Sequence, residues 1–475
     1  MKNTFLSFLL ISLSIAALNA QKKVEDIIKN LDSKTEAYGT IAQNIWNLAE
    51  MGYQEEKSSA LLQKTLADEG FSIKKGVAGM PTAFIAEYGS GAPVIAIMGE
   101  YDALPGLSQQ AVAEKKSAGK AAGHACGHHL FGTASAAAAI SAKDWIKANN
   151  AKGTIRFYGT PAEEGGSGKV YMVREGLFND VDVALHWHPG SQNAASAGAA
   201  LANKSAKFRF YGISAHAAGA PEKGRSALDG VEAMNAMVNM MREHVPQEAR
   251  IHYVITDGGK APNVVPDFAE VYYYARHNSR DVVIDIFDRM VKAAEGAAMG
   301  TGTTMDYEMI GGTHELLPNL VLQKTMHDNL SKIGGIDYTA EEKEFADKIA
   351  VSLGHKEVDV DIATNVQPYK TEARPYGSTD VGDVSFAVPT VGMSAATWVP
   401  GTPAHSWQAV AAGGTTIGKK GMMVAAKTLT LTAIDLFKNK ELITKAKAEL
   451  IERRGADFKY IPLLGDRAPA LDYRD

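Results

Sequence analysis

Strand-like and helix-like segments alternate along most of this chain, and several of the strand-like runs end in polar residues. The apolar run 94–98 continues into a polar turn, and the runs 154–158 and 181–185 do the same. Strands that alternate with helices favour an α/β domain with a largely parallel sheet, in which the carboxyl ends of the strands share an edge. Sites in such sheets are built at that edge. We therefore expect the polar residues that follow these runs to lie close together.

The alternation changes between residues 204 and 313. This stretch has the order strand, helix, strand, strand, helix, strand, which is typical of a ferredoxin-like α+β unit. Because the α/β pattern resumes afterwards, we interpret the unit as a domain inserted into the first one. The α/β domain then consists of residues 21–203 and 314–475, with the inserted domain at 204–313. The charged stretch 339–367 is interpreted as a surface insertion.

The first twenty residues differ from the rest of the chain. A charged start at Lys2 is followed by an apolar run at residues 5–17, which is short for a bilayer span, and then by Leu18-Asn19-Ala20. This pattern predicts a secretory signal peptide at residues 1–20, with an N-terminal anchor helix as the alternative. A cleaved signal implies export across the inner membrane to the periplasm.

The composition argues against two classes of partner. Apolar residues make up 45% of the chain and charged residues 22%, as in ordinary globular proteins. The formal net charge is −5, and basic residues never run longer than a pair. A nucleic acid partner is therefore not expected, and neither is a membrane partner once the signal has been removed.

A stretch rich in histidine and cysteine, residues 123–129, opens a predicted alanine-rich helix. Its Cys126 is the only cysteine in the chain, so it cannot form an intrachain disulfide. In an exported protein such a thiol needs a reason to remain reduced, and metal coordination is one. Thiolate and neutral imidazole suit zinc and similar ions, and a helix N-terminus favours the thiolate. We expect one site with two divalent ions, zinc or manganese. The candidate ligands are Cys126, His128, Glu164, His405 and either His188 or His186.

Two adjacent glutamates, Glu163 and Glu164, follow one of the strand-like runs. Neighbouring side chains in an extended segment point in opposite directions, so one carboxylate can bind a metal while the other faces a bound water and acts as general base. Asp102 follows another run and is interpreted as either a site residue or a turn former. The Gly-Ser-Gly that precedes Lys169 does not begin a phosphate loop, because no Ser or Thr follows the lysine.

Four ordered motifs carry a resemblance to a known family. Asp-Ala-Leu-Pro at 102–105, His-Ala-Cys-Gly-His at 124–128, Pro-Ala-Glu-Glu-Gly-Gly at 161–166 and Ser-Ala-His-Ala-Ala at 214–218 are similar to the motifs of M20 metallopeptidases, and in particular to the amidohydrolase branch of that family. Further motifs resemble the subgroup of aminobenzoyl-glutamate hydrolase B subunits; they lie at 185–190, 224–229 and 262–266. The resemblance covers nearly all of the chain after the signal.

The resemblance implies a three-layer α/β/α hydrolase domain that binds two metal ions, with the inserted domain as a lid through which a homodimer forms. It implies cleavage of the amide bond of an N-acyl or N-aroyl amino acid, such as an aminobenzoyl-glutamate-like compound. A metal-bound hydroxide would attack the amide carbon, and Glu163 would serve as general base.

The resemblance also implies roles for the other candidate residues. Cys126 would bridge the two ions, and the further ligands would be His128, Glu164, His405 and the histidine still to be chosen. Asp102 would orient one of the metal ligands without binding a metal ion itself.

In the lid, His216 would stabilise the oxyanion at the site of the other protomer. Asn263 and Arg276 would bind the carboxylate end of the substrate.

Some alternatives stay open. His129 stands where the branch has an aspartate, and we expect a structural role for it. His186 and His188 both occupy the motif that supplies one ligand; we favour His188, although residues two apart on a strand share a face, so spacing does not decide. A broad dipeptidase or exopeptidase and a non-catalytic binding protein of the same fold are alternative functions. The acyl group and the need for a second type of subunit are not determined by the sequence.

Overall fold

The computed structural model describes residues 24–372 and 377–474. The predicted signal peptide at residues 1–20 lies outside the described residues. Within the described ranges, no helix has both the length and the apolar character needed to cross a membrane. The chain forms a larger domain from two separate parts and a smaller domain from the segment between them.

The larger domain is built on a six-stranded sheet. In chain order the strands of the protein are β1 Ser72–Lys75, β2 Phe84–Ser90, β3 Val94–Gly99, β4 Leu104–Pro105, β5 Ala122–Gly123, β6 Gly153–Gly159, β7 Val183–Leu185, β8 His188–Gly190, β9 Ala202–Tyr211, β10 Arg250–Asp257, β11 Phe268–His277, β12 Thr304–Thr313, β13 Thr390–Val391 and β14 Ser394–Ala396. The order in the large sheet is β1-β2-β6-β3-β7-β13. In this sheet β6, β3, β7 and β13 are parallel to one another. At the edge beside β6, β2 pairs antiparallel with β6, and β1 pairs antiparallel with β2.

Helices cover both faces of the large sheet because its central strands are apolar on both sides. Ile95 and Ile97 of β3 point into one core, and Ala96 and Met98 point into another on the opposite side. Strands that are buried on both faces are expected to be apolar throughout. The first core includes helices Thr35–Leu48, Glu56–Asp68, His128–Asn149, Leu320–Ile333, Ala340–Ser352, Trp407–Gly413, Thr416–Lys438 and Lys440–Arg454, and the second includes Gly168–Arg174 and Val381–Ala387. The predicted three-layer α/β/α fold is thus confirmed.

The smaller domain, called the lid below, contains the antiparallel strands β9 to β12 in the order β10-β11-β9-β12. Its helices Ala227–Met241 and Arg280–Thr301 pack on one face of this sheet, where Phe208 and Tyr273 are buried with them in a separate core. Both the chain order and the sheet order are those of a ferredoxin-like unit, as the sequence predicts. The opposite face is more polar; its Lys207 lines a cavity shared with the larger domain.

The structure differs from the sequence prediction in the charged stretch 339–367. The helix Ala340–Ser352 lies here, begins with a capping box and buries Ala346 and Ile349 against the first core. The short helix Asp361–Thr364 follows it. Because a charged outer face accompanies the apolar one, composition alone conceals the amphipathic pattern. The stretch is a packed part of the domain and not merely a surface insertion.

Candidate active site

The segments that follow the parallel strands meet at one edge of the large sheet. β3 pairs in parallel with both β6 and β7, so the loops after these strands emerge on the same side. β13 pairs in parallel with β7, and the chain continues through β14 to the turn that holds His405. The His128–Asn149 helix also begins here. Gly127 precedes it with a φ of 77°, a left-handed conformation that favours glycine.

Two groups of potential metal ligands share the sulfur of Cys126. One group consists of Cys126, His128 and His188, and the other of Cys126, Glu164 and His405. Within each group the ligand atoms lie within 4.8 Å of one another. A single thiolate that faces both groups has the position required of a ligand that bridges two cations.

The spacing within these groups fits ligands of a common cation. Cys126 Sγ is 3.4 Å from His188 Nε2, and Glu164 Oε1 is 3.1 Å from His405 Nε2. Ligand atoms around a tetrahedral zinc ion lie roughly 3.3–3.7 Å apart, given the usual metal–ligand bond lengths; the first distance lies in this range and the second is slightly shorter. His128 Nε2 and Glu164 Oε1 are buried, and although Glu100 and His405 lie close to them, neither atom makes a hydrogen bond of good geometry with the described residues, which is rare for polar atoms. The donor set therefore fits a pair of divalent ions.

Hydrogen bonds orient both histidines of the first group. His128 Nδ1 donates to Asp102 Oδ1 at 2.7 Å, and His188 Nδ1 donates to the Pro189 carbonyl at 2.7 Å. Each bond keeps a proton on Nδ1, so Nε2 is the ring nitrogen that can bind a cation. Asp102 Oδ2 also accepts the backbone N–H of Glu164 at 2.9 Å. Asp102 thus connects the two ligand groups.

The two adjacent glutamates point into different surroundings. Glu163 lies beside Glu100, and Glu164 lies beside His405. Burial, followed by the charges of Glu100 and Glu164, raises the pKa of Glu163 well above its ordinary value. Burial acts in the same direction on Glu164, but the imidazoles of His405 and His128 together outweigh it, and the pKa of Glu164 is lowered. Carboxyl groups whose pKa values are pushed apart suit different tasks, here proton transfer and ligation.

Burial affects the other potential ligands in different ways. It raises the pKa of the Cys126 thiol well above its ordinary value, and it is the main cause that lowers the pKa of His188 to about 4. Burial opposes protonation of His128, but the charges of Asp102 and Cys126 outweigh it and raise the pKa of that imidazole. His188 is therefore neutral at pH 7, as a metal ligand must be. Binding of a cation would displace the proton of the Cys126 thiol and release it to solvent, because a coordinated thiol is deprotonated.

Two non-glycine residues at this site have a left-handed backbone. The φ angle is 57° at Ala162, which precedes Glu163, and 59° at His405. Such conformations are uncommon and cluster at functional sites, where the surrounding structure holds them in place. The buried carboxylate of Glu55 accepts the Ala162 N–H at 2.8 Å. Glu55 therefore supports the turn that presents Glu163.

Comparison with known proteins places the chain in a family. Residues 96–343, just over half of the chain, match the family described as Peptidase family M20/M25/M40. The chain belongs to the M20 peptidase family. The B subunit of p-aminobenzoyl-glutamate hydrolase from Escherichia coli (strain K12) is 41% identical to this M20 protein in an alignment 459 positions long, gaps included, that covers 90% of this chain and 95% of that protein. The Xaa-Arg dipeptidase of Mus musculus is 29% identical, over 89% of this chain and 90% of that protein.

Two solved structures share the fold of this M20 protein. The aminobenzoyl-glutamate utilization protein from Klebsiella pneumoniae has a TM-score of 0.60 at 18% identity, over 86% of this chain and 97% of that chain. A dinuclear metal binding peptidase of the M20 family from Bacillus subtilis has a TM-score of 0.59 at 17% identity, over 86% of this chain and 99% of that chain. At these identities the likeness shows the fold alone.

In this M20 fold, His188 and not His186 lies beside Cys126. β7 ends at Leu185 and β8 begins at His188 in a separate pair of strands, so the two histidines do not lie on one continuous strand. The expectation that they share a face is therefore wrong. His186 packs against Gly392, where an added Cβ would lie 2.2 Å from the imidazole Nε2. Burial, followed by the charge of His188, lowers the pKa of His186 to about 3.

His129 faces away from the potential ligands. Its Nε2 donates to the Gly413 carbonyl at 3.0 Å, and its ring centroid lies 4.9 Å from that of His124. Burial is the main cause that lowers the pKa of His129 well below its ordinary value, so the imidazole is neutral. These contacts are those of a packing residue, in keeping with the structural role that we expected.

The three candidate residues of the lid are not joined to the ligand groups. His216 is exposed and belongs to none of the groups that the described residues form. Its Nδ1 accepts the Gly219 N–H at 3.1 Å, which leaves the proton on an exposed Nε2. Asn263 lies in the neighbouring loop, where its carbonyl accepts the Ala217 N–H at 3.0 Å.

Arg276 lies on the polar face of the lid sheet. Its guanidinium carbon is 5.0 Å from the ring centroid of Tyr274, and its Nε is buried without a hydrogen-bond partner among residues 24–372 and 377–474. An arginine donor in this state is suited to a carboxylate supplied from outside the chain.

A buried charged cluster behind the site was not predicted. Lys169 Nζ donates to Glu100 Oε1 at 2.6 Å and to Asp380 Oδ1 at 2.7 Å, and all three side chains are buried. Glu100 Oε2 lies 3.0 Å from His128 Nε2. Burial favours a neutral amine, but the charges of Asp380 and Glu100 outweigh it and raise the pKa of Lys169. The signal for Glu100 was available, because it follows β3 as Asp102 does; no local pattern indicates that Lys169 is buried.

Proposed function

We propose that this M20 protein is a two-metal amidohydrolase that cleaves the amide bond of an N-acyl or N-aroyl amino acid, such as an aminobenzoyl-glutamate-like compound. One observation carries the proposal: the Cys126 sulfur is shared by two groups of ligand atoms at the carboxyl edge of the sheet. A pair of cations at such a position can act together on one amide bond. The name of the Escherichia coli relative, a p-aminobenzoyl-glutamate hydrolase, supports the class of substrate.

One ion would be held by Cys126, His128 and His188, and the other by Cys126, Glu164 and His405. When bound, the ions would polarise the amide carbonyl and lower the pKa of a water molecule. The thiolate favours zinc, whereas the imidazoles and the carboxylate also accept manganese. The dinuclear M20 peptidase of Bacillus subtilis, which has the same fold, supports two ions per chain.

Glu163 would transfer the protons. Burial and the neighbouring carboxylates raise its pKa well above that of an ordinary glutamate, and a carboxylate with a raised pKa holds a proton more strongly, which favours a group that accepts a proton from water and later donates it to the leaving amine. Asp102 would hold His128 in the tautomer that binds a cation. Glu164 has a lowered pKa and would stay ionised as a ligand.

The lid would supply the contacts to the substrate. The unpartnered Nε of Arg276 suits the carboxylate end of an acyl-amino acid, and Asn263 would bind the same end from the loop next to His216. His216, with its exposed Nε2–H, would stabilise the oxyanion at the site of the other protomer.

The surface of the lid supports a homodimer. β10 is an edge strand of the lid sheet and exposes Tyr253, Val254 and Ile255. Met240 and Met299, on the two lid helices, are 70% and 81% exposed. Exposed strand edges and apolar side chains favour association with another chain. We therefore propose that two lids associate along this surface.

Export and a second type of subunit are further parts of the proposal. The Escherichia coli relative is named as the B subunit of its hydrolase, and the A subunit of the same enzyme is 26% identical to this chain over 308 residues. These names support a partner that resembles the A subunit. The charged and then apolar start of the sequence supports a signal at residues 1–20 and a periplasmic location.

A broad dipeptidase is the second candidate, because the Xaa-Arg dipeptidase of Mus musculus is 29% identical over most of the chain. Its substrates would share the amide bond and the free carboxylate with acyl-amino acids, and would differ in having a charged amino group.

A substrate screen on purified, metal-analysed protein tests the proposal. We expect about two zinc or manganese ions per chain, and a kcat/KM for aminobenzoyl-glutamate at least about tenfold above that for free dipeptides, a difference of about 1.4 kcal/mol in transition-state binding. A preference for Xaa-Arg dipeptides would favour the second candidate. A protein that binds no divalent ion, or that binds the ions and hydrolyses neither class, would refute the proposal.

A further inference from the structure

The chain does not stop at its last long helix, Lys440–Arg454; an irregular segment, residues 455–474, continues along the junction of the two domains. We call it the C-terminal strap. Tyr460 donates to Asp383 Oδ1 at 2.7 Å, and the Ile461 carbonyl accepts His314 Nε2 at 3.0 Å. Leu463 and Leu464 are buried. The first part of the strap is therefore packed against the place where the chain leaves the lid.

The middle of the strap touches both domains. Arg467 donates to the carbonyls of Met309 and Ile310 in β12 of the lid, the latter at 2.7 Å. The carbonyl of Arg467 in turn accepts Arg174 Nη1 of the larger domain at 2.7 Å. A guanidinium that donates to two successive carbonyls holds the two segments together more firmly than a single hydrogen bond, because both bonds must break before the segments can separate. The strap thus links the last strand of the lid to the larger domain.

The end of the strap reaches the loop that carries the two adjacent glutamates of the site. The Tyr473 hydroxyl donates to the Glu164 carbonyl at 3.0 Å, and Arg474 Nη2 donates to the same carbonyl at 2.5 Å. The ring of Tyr473 lies edge-on to Tyr53, with centroids 5.6 Å apart. Gly52 makes this approach possible, because a Cβ there would lie 2.1 Å from the Tyr473 oxygen.

Hydrogen bonds hold the backbone of Glu164 at both its N–H and its carbonyl group. Its N–H donates to Asp102 at 2.9 Å, and its carbonyl accepts the two donors of the strap. Earlier in the same loop, the left-handed Ala162 is held by Glu55. A loop with such a backbone keeps its shape only where its surroundings determine it. The orientation of the Glu164 carboxylate therefore depends on donors from a segment distant along the chain.

We propose that Tyr473 and Arg474 are positioning residues: the C-terminal strap holds the 163–164 loop in the geometry that binds one of the two ions, and its middle part ties that geometry to the lid. This inference rests on the proposed two-metal function. Neither residue touches the reacting atoms; both act through the Glu164 backbone. Groups that orient a ligand from outside typically contribute about 10–100-fold to metal affinity or activity.

The experiment uses the full-length chain with both changes, Tyr473→Phe and Arg474→Met. Mn²⁺ is titrated into metal-stripped protein, kcat and KM are measured with aminobenzoyl-glutamate, and thermal unfolding is followed. We expect the affinity for one ion to fall by about tenfold or more and that for the other to change little. We expect kcat to fall by a similar factor with KM nearly unchanged, because the lid contacts to the substrate remain.

Two further variants make the result specific. Leu471→Ala alters an exposed side chain of the same strap and should leave the affinity for both ions and kcat at wild-type values. Arg474→Lys keeps a cationic donor, and in the Tyr473→Phe background it should recover part of the lost affinity. If the double variant unfolds, the single variant Tyr473→Phe, which removes only one oxygen, must still lower the affinity for one ion. The inference would be overturned if Tyr473→Phe bound both ions with wild-type affinity, or if Leu471→Ala lost as much affinity as the variants of Tyr473 and Arg474.

The titration separates this inference from the proposed substrate. A wild-type protein that binds two ions but hydrolyses no acyl-amino acid would refute the proposed function, and the Mn²⁺ titration would still decide the role of the strap. A wild-type protein that hydrolyses the substrate while the double variant binds both ions equally well would refute the strap alone.

Discussion

The sheet edge of the larger domain and the lid differ in how far a single chain completes them. At the sheet edge, ligand atoms from separate segments lie within 4.8 Å of one another, and Asp102 connects the two groups. In the lid, His216 and Asn263 lie on neighbouring exposed loops, and the Nε of Arg276 has no partner among the described residues. The first region brings its candidate residues together within one chain, whereas the candidate residues of the lid are not joined to that group among the described residues.

The two regions also treat charge differently. At the sheet edge Lys169 is buried between Glu100 and Asp380, where removal of one charge leaves the others without compensation. On the lid, Arg209 pairs with Glu270 and with Glu308, whose side chain is 46% exposed, so water screens the interaction. A buried site is thus rigid and costly to alter, whereas an exposed one tolerates change and can adapt to a partner.

Removal of the shared sulfur should damage the sheet edge most. Cys126→Ala is expected to lose both ions and to lower kcat/KM by more than about 10⁴-fold, because each group loses a ligand at once. Elemental analysis of the purified variant gives the metal content, with His216→Ala as the control that keeps both ions. Retention of two ions in Cys126→Ala would show that the sulfur does not bridge them.

Removal of the buried cation should cost stability. Lys169→Met leaves Glu100 and Asp380 buried without their partner, and we expect the free energy of unfolding to fall by about 3–5 kcal/mol. Denaturant unfolding at pH 7 measures the change. A loss below about 1 kcal/mol would mean that water reaches these carboxylates and that the contrast with the lid is weaker than the structure indicates.

Replacement of the proposed general base separates chemistry from metal binding. Glu163→Gln should lower kcat by about 10²–10⁴-fold and leave the metal content unchanged, because Glu163 is not among the proposed ligands. A variant that loses an ion would instead identify Glu163 as a ligand.

The pH dependence of the wild-type enzyme tests the same residue. Glu163 must be ionised to accept a proton, and its pKa is raised by burial and by the charges of Glu100 and Glu164. Activity should therefore rise with pH through a midpoint above the ordinary glutamate value of about 4.3 and be lost as the pH falls through that midpoint. A kcat/KM profile that stays flat down to the ordinary value would contradict the assignment.

The lid should affect turnover without affecting the ions. His216→Ala is expected to lower kcat by about 10²–10³-fold through loss of an oxyanion donor. Mixed with Glu163→Gln, it should regain activity in hybrid dimers, since one site of each hybrid then has both intact residues. If the activity of the mixture is no higher than the average of the two separate variants, His216 acts in the site of its own chain.

The smallest effect is expected on the lid surface. Glu308→Gln removes the charge of the exposed partner of Arg209, where water screens the ion pair, so the free energy of unfolding should change by less than about 1 kcal/mol and kcat should stay within about twofold of wild type. The same denaturant titration used for Lys169→Met provides the comparison.

Much of the fold could be predicted because its patterns are local. The strands of the central sheet are short apolar runs followed by polar turns, and the lid has a recognisable order of strands and helices. The helix Ala340–Ser352 was concealed because its charged face dominates the composition. The position of His188, and not His186, beside Cys126 depends on a break between β7 and β8 that no spacing rule contains.

Sequence alone determined the identity and order of the groups that can carry chemistry: a lone cysteine, histidines, paired glutamates and the strand ends that present them. Those features are local, because ligand chemistry and strand-end position follow from residue type and periodicity. The tertiary structure decided which atoms meet, which face away and which charges are buried. The cluster around Lys169 and the strap on the Glu164 carbonyl depend on contacts between distant segments, and burial and hydrogen bonding of that kind exist only once the whole chain has packed.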